Sequence, residues 1–148
     1  MSGSIEEKIE RELEDKPELA AAVRKEVESY RRLRTYAMDL EDYQVLETDK
    51  YDILITKGEV RSWGSSGGIG WDVVVEVYAS DKETKEVTRK RVLDLTSRDR
   101  YDARKDDHTL QTSRGVVYDV IGPSTIEVGV LGADDKKIPY TTRTVQLE

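Results

Sequence analysis

The sequence predicts an α+β fold: an N-terminal kinked helix, or two helices, packed on a curved antiparallel sheet of six or seven strands, half-barrel or barrel-like. Two observations predict it. Up to about residue 40 apolar residues recur every three or four positions, and beyond it they alternate or run in short β-branched blocks. Those blocks are broken at short intervals by Gly, Pro, Asp and Ser, the chemistry of tight turns. A twisted sheet of this size curls, and its apolar face needs a helical cover.

In the arm, Ser4 with Glu7 three residues on forms a capping box that starts a helix. Ile5, Ile9 and Leu13 make a narrow apolar stripe, as ready to dock on a neighbouring subunit as on the chain's own core. Pro17 lacks an interior amide but suits a first turn, with Asp15 and Glu18 supplying a second cap. A longer helix is expected from Pro17 to Leu40, with Leu19, Val23, Val27, Tyr30, Ala37 and Leu40 on one broad face. No heptad is sustained, so this face is expected against the sheet rather than in a coiled coil. Arg31, Arg32 and Arg34 complement the helix dipole near its end.

The expected strands are Tyr43–Glu47, Tyr51–Arg61, Gly70–Ser80, Lys85–Thr96, Thr109–Ile121, Thr125–Leu131 and Ile138–Gln146. Trp71, Val73, Val75, Val77 and Ala79 alternate with Asp72, Val74, Glu76 and Tyr78, which predicts one buried face and one largely wet face. Val92 and Leu93 break the alternation of their strand and predict a bulge or bend.

At 148 residues the chain is read as one domain, 1–148, with the arm at 4–40 and the sheet at 43–146. Residues 1–3 and 147–148 are read as cloning junctions. The chain has no cysteine, which excludes disulfides, thiolate nucleophiles and Cys-ligated metal sites and suits a reducing compartment. It also has no phenylalanine beside eight tyrosines and two tryptophans, a composition that points to engineering or strong selection. A designed scaffold need carry no natural function. With no apolar run near the roughly 18 residues of a membrane span and no secretory leader, a soluble cytoplasmic protein is expected, with no membrane partner. The net charge of −7 makes nucleic acid a poor partner. Arg89 to Arg114 holds eight basic residues, but five interleaved acids oppose a strand-binding groove.

Candidate sites are weak. Trp63-Gly64-Ser65-Ser66-Gly67-Gly68-Ile69-Gly70-Trp71 is glycine-rich, but Trp71-Asp72-Val73 opens a strand and not the helix that a phosphate loop requires. It reads as a hairpin loop, with a lid over a pocket as the functional alternative. Asp99, Asp102, Asp106, Asp107 and His108 could crowd a cation, but Arg98, Arg100, Arg104 and Lys105 oppose it and no glycine shapes a calcium loop. His108 is the only histidine and sits in a polar stretch unsuited to a catalytic imidazole. No catalytic residue, metal or cofactor is therefore expected. The leading expectation is a non-enzymatic binding scaffold, with a small apolar ligand held between helix and sheet by Tyr30, Trp63, Trp71, Tyr78 and Tyr118. The second is a structural subunit that self-associates through the first helix, the 96–109 hairpin and a sheet edge.

Overall fold

The computed structural model describes residues 4–31, 36–63, 69–96, 114–138 and 141–148. Two helices, α1 (Ile5–Glu12) and α2 (Pro17–Arg31), precede seven strands: β1 (Tyr36–Glu47), β2 (Tyr51–Trp63), β3 (Ile69–Asp81), β4 (Val87–Thr96), β5 (Gly115–Gly122), β6 (Thr125–Leu131) and β7 (Arg143–Gln146). The expected class holds: the chain is α+β with antiparallel strands. The expected single curved sheet does not. The strands divide into a four-stranded sheet, β1-β2-β3-β4, and a three-stranded sheet, β5-β6-β7. The helices cover one face of the larger sheet and the smaller sheet covers the other.

Local chemistry explains the helices. Ser4 caps α1, its Oγ accepting the Glu7 amide at 3.2 Å, and Pro17 opens α2. Ile9, Leu13, Leu19 and Val23 pack with Leu54 and Tyr78 of the larger sheet, so α1 docks on the chain's own core. Burying an aliphatic side chain of this kind contributes about 1.5–3 kcal/mol. The described part of α2 ends at Arg31, not at Leu40: Ala37 and Leu40 lie on β1, which starts at Tyr36 rather than Tyr43. Leu40 still packs against the helix-facing core. A spacing of three fits a helical face and is silent about a strand, and that is why the helix was overrun.

Among the described residues the central strands of the larger sheet, β2 and β3, have no wet face. Val73, Val75 and Val77 are buried toward the smaller sheet, and Val74, Glu76 and Tyr78 are equally buried under the helices. This corrects the expectation of one wet face. Uninterrupted runs such as Ile53-Leu54-Ile55 and Val73-Val74-Val75 belong to strands covered on both sides, and covering them requires a second layer rather than a curl. The break at Val92 is a bulge: Leu93 pairs with Val75 and Arg91 with Glu76, leaving Val92 unpaired. A second bulge lies between Leu40 and Asp42 on β1. Lys85, with φ 64°, closes the β3–β4 turn in the left-handed region, while Asp81 Oδ1 accepts the Glu83 and Thr84 amides at 2.8 and 3.1 Å. β4 accordingly starts at Val87 rather than Lys85.

The sheets are stitched by polar contacts. Asp42 Oδ2 accepts the Val116 amide at 2.8 Å, and Gln44 Nε2 donates to the Val116 carbonyl at 3.1 Å. Between the sheets the core is aliphatic apart from Tyr51, with Ile53, Ile55 and Val75 facing Ile126, Val128 and Val145. Leu147 joins this core and its amide donates to the Ser124 carbonyl at 2.8 Å, so this presumed junction residue is packed. Among the described residues no helix is long and apolar enough to cross a membrane.

A Cβ on Gly115 would stand 2.3 Å from Asp42 Oδ2, and moving that oxygen breaks its bond to Val116. Gly115→Ala is expected to cost about 1–3 kcal/mol in urea unfolding. At Gly122 the nearest atom would be 3.7 Å away, so Gly122→Ala is expected to be neutral or stabilising in the same assay.

Candidate functional site

The site grows out of strand register. On the helix-facing side of β3, Glu76 and Tyr78 stand two residues apart, opposite Arg91 and Arg89 of β4. Above them α2 presents Ala22, Glu26 and Tyr30 at helical spacing. Glu26 takes Arg89 Nε at 3.2 Å and Arg91 Nη2 at 3.6 Å. Glu76 Oε2 accepts from Arg89 Nη1 and lies 3.9 Å from Arg91 Nε. Arg91 also donates to the Tyr30 hydroxyl, with its guanidinium 5.8 Å from that ring's centroid. Two carboxylates and two guanidiniums form a network that is neutral as a whole and ties α2 to both strands.

This network is deeply set on one side. The Glu76 side chain is 0% exposed, Glu26 13%, Arg91 31% and Arg89 40%. Burial raises the Glu76 carboxyl above its ordinary range and Glu26 adds repulsion, while Arg89 and Arg91 pull the other way. Burial, with Glu76 and Glu26 nearby, also raises the Tyr78 phenol, which stays neutral at physiological pH and keeps both a donor and an acceptor. Glu76 Oε1 and the Tyr78 hydroxyl are both buried without a hydrogen-bond partner among the described residues. An unmet buried polar group costs about 1–3 kcal/mol.

Tyr78 lines an open groove of about 270 Å³ between α2 and β4. Ala22 and Val87 give it apolar walls, and Lys25, Glu26, Ser29 and Arg89 give it a polar rim. A second cleft, between α1, α2 and Leu40, holds only about 50 Å³, and two of its lining residues are joined by Arg24 Nε and Nη2 donating to Glu10 Oε1 and Oε2 at 3.0 and 2.9 Å.

Of the residues singled out in the sequence, the structure gathers two. Tyr78 lines the groove and Tyr30 joins the adjoining network. Tyr118 stands on β5 in the other sheet, 36% exposed, and does not line the groove. The backbones of Trp63 and Trp71 lie at the far end of the β2–β3 ladder, paired with Ile69 and Arg61; their side chains fall outside the described residues. So do Arg32, Arg34, the Gly64–Gly68 loop, the cluster of Asp99, Asp102, Asp106, Asp107 and His108, and the body of the 96–109 hairpin. Among the described residues no three His, Cys, Asp or Glu side chains gather as a cation site. Glu26, Glu76, Arg89 and Arg91 escaped sequence reading. The available signal was two arginines two apart on one strand, beside a strand with a lone carboxylate among valines.

Compared with protein-family models, curated proteins and solved structures, the chain matches none.

Glu76 also sets a pH test. Its carboxyl titrates higher in the folded state than in the unfolded one, so the native protein holds the extra proton in that interval. Stability is then greatest below the unfolded value and falls as pH rises through the folded one. Urea unfolding of the wild type is expected to show this decline above the ordinary carboxylate range, and Glu76→Gln is expected to flatten it. An unchanged profile in the variant would assign the pH dependence to other groups.

Proposed function

We propose that this protein is a non-catalytic binding protein, and that its ligand is a small neutral molecule with an apolar body and one hydrogen-bonding group. One observation carries the reading: among the described residues the Tyr78 hydroxyl is buried and unpartnered, on a residue that lines a groove. A buried polar group without a partner calls for water or a ligand atom. Ala22 and Val87 would receive the apolar body, and the phenol would meet a carbonyl, amide or hydroxyl.

Neutrality of the ligand is supported by the balanced charges of the network, Lys25 lying at the exposed rim of the groove. Glu26 and Glu76 are already balanced by Arg89 and Arg91, so a charged ligand would be desolvated without a free counter-ion in the network. The groove is slightly below the usual size for drug-like ligands, about 300–1,000 Å³, and suits a fragment-sized molecule.

The test is an NMR titration of the full chain with small amides, ketones and alcohols, each beside its hydrocarbon counterpart. Shifts are expected at Ala22, Tyr78 and Val87. In Tyr78→Phe the polar probes are expected to bind about tenfold more weakly, one hydrogen bond's worth, while the hydrocarbons bind as before. The variant should lose no stability, because it removes an unmet group. Silence at all three positions, or equal binding of polar probes to wild type and variant, sinks the reading.

A further inference from the structure

We infer that β5 is a self-association edge, on which a second copy of this chain adds its own β5 antiparallel to the first. Among the described residues β5 is the outer strand of the three-stranded sheet and pairs with β6 alone. Its Val116 amide and carbonyl are taken by Asp42 and Gln44 of β1 and so point away from β6. By strand alternation the amides and carbonyls of Tyr118 and Val120 point to the same edge. Among the described residues none of those groups is bonded.

Side chains mark the same stretch. Among the described residues the exposed large apolar side chains are Tyr118 at 36%, Val120 at 50% and Ile121 at 54%, all on β5. Tyr118 and Val120 pair with Val128 and Ile126, so they lie on the core-facing side but beyond the cover that β1 gives Val116. The other edges are blunted by charge, as edges of monomers are: β1 carries Asp39, Glu41 and Asp42, β4 carries Arg89, Lys90 and Arg91, and four-residue β7 carries Arg143. β5 has neither Lys nor Pro, and in eight residues its one charge is Asp119.

A two-fold axis at Asp119 gives a self-complementary register. Tyr118 of each copy then faces Val120 of the other, and the four free groups of each strand are satisfied in two hydrogen-bonded pairs. Such aromatic–β-branched cross-strand pairs are among the stabilising ones. The two Asp119 carboxylates meet at the axis, but each lies 3.6 Å from Lys137 Nζ, which offsets their repulsion. A register shifted toward Gly115 moves the pairing onto Val116, whose edge groups are already used, and one shifted toward Gly122 runs into the irregularity between Val120 and Gly122. An interface this small belongs to the weak, transient class.

Sedimentation velocity of the full chain across the micromolar to millimolar range is expected to show a monomer–dimer equilibrium. Val120→Lys, which adds a charge to the edge and leaves the buried core untouched, should be monomeric throughout. Because a variant can fail for other reasons, hydrogen exchange of the wild type is measured alongside. The Tyr118 and Val120 amides should gain protection as concentration rises, while those of Val117 and Asp119 stay constant. A wild type that remains monomeric at the highest concentration overturns the inference. So does a dimer that survives Val120→Lys, or one that forms without protecting those two amides.

Discussion

The rest of the structure depends on β3 having no face open to water. Val73, Val75 and Val77 look one way, and Val74, Glu76 and Tyr78 the other, all 2% exposed or less. A strand of that kind cannot exist in a lone sheet: each side demands its own layer. The helices answer on one side with Ile9, Leu13, Leu19, Val23 and Val27, and the smaller sheet answers on the other with Ile126, Val128 and Val145. Both bulges adjust the larger sheet to this double cover. The one at Val92 keeps Arg89 and Arg91 on the helix side of β4 while Leu93 turns to the inter-sheet core.

Putting a carboxylate on such a strand creates the second constraint. Glu76 must be desolvated because its neighbours are, and an isolated buried charge would instead neutralise or disrupt the fold. Arg89 and Arg91 supply counter-charge from the adjacent strand, and Glu26 returns the balance from α2. A paired buried network adds less stability than an apolar packing of equal volume, but it resists being broken at one member. It also fixes how α2 sits, because the guanidiniums must meet Glu26 and Tyr30 as well as Glu76. Lys57 and Glu41, 2.8 Å apart at the β1 bulge, repeat the same solution on the opposite face.

Features of the sequence that act within a few residues were legible, and those that act across strands were not. Ser4 with Glu7, Pro17, the turn at Asp81 and the irregularity at Val92 each carry their meaning locally. The helix end was misplaced because Ala37 and Leu40 satisfy a helical face while also fitting β1. The second sheet was missed because alternation tells which residues share a face and not what covers it. The run Val73-Val74-Val75 held that information and was outvoted by Asp72 and Glu76, which look like solvent-facing residues. At the site, Tyr30 and Tyr78 stood out as amphipathic aromatics. Glu26, Arg89 and Arg91 looked like ordinary surface charges, since only the β3–β4 register brings the arginines opposite Glu76 and Tyr78. Tyr118 has the same chemistry as Tyr78 but lies on an edge, and composition cannot separate the two.

The network and the groove pull against each other in a way that bears on binding. A device serving only to dock α2 would do best with every polar atom met, yet Glu76 Oε1 and the Tyr78 hydroxyl are left over after all four charged groups are paired. Both unmet atoms belong to β3, two residues apart on one side. Tyr78 lines the groove, which is walled by α2 and β4, two elements that the network joins. A charge-assisted contact prefers about 2.7–2.9 Å, so the Glu26–Arg89 contact at 3.2 Å draws α2 toward β4 and does not set the width of the groove. The charges thus act as a clasp. They fix α2 over β3 and β4, and beside the groove they leave the Tyr78 phenol with no hydrogen-bond partner among the described residues.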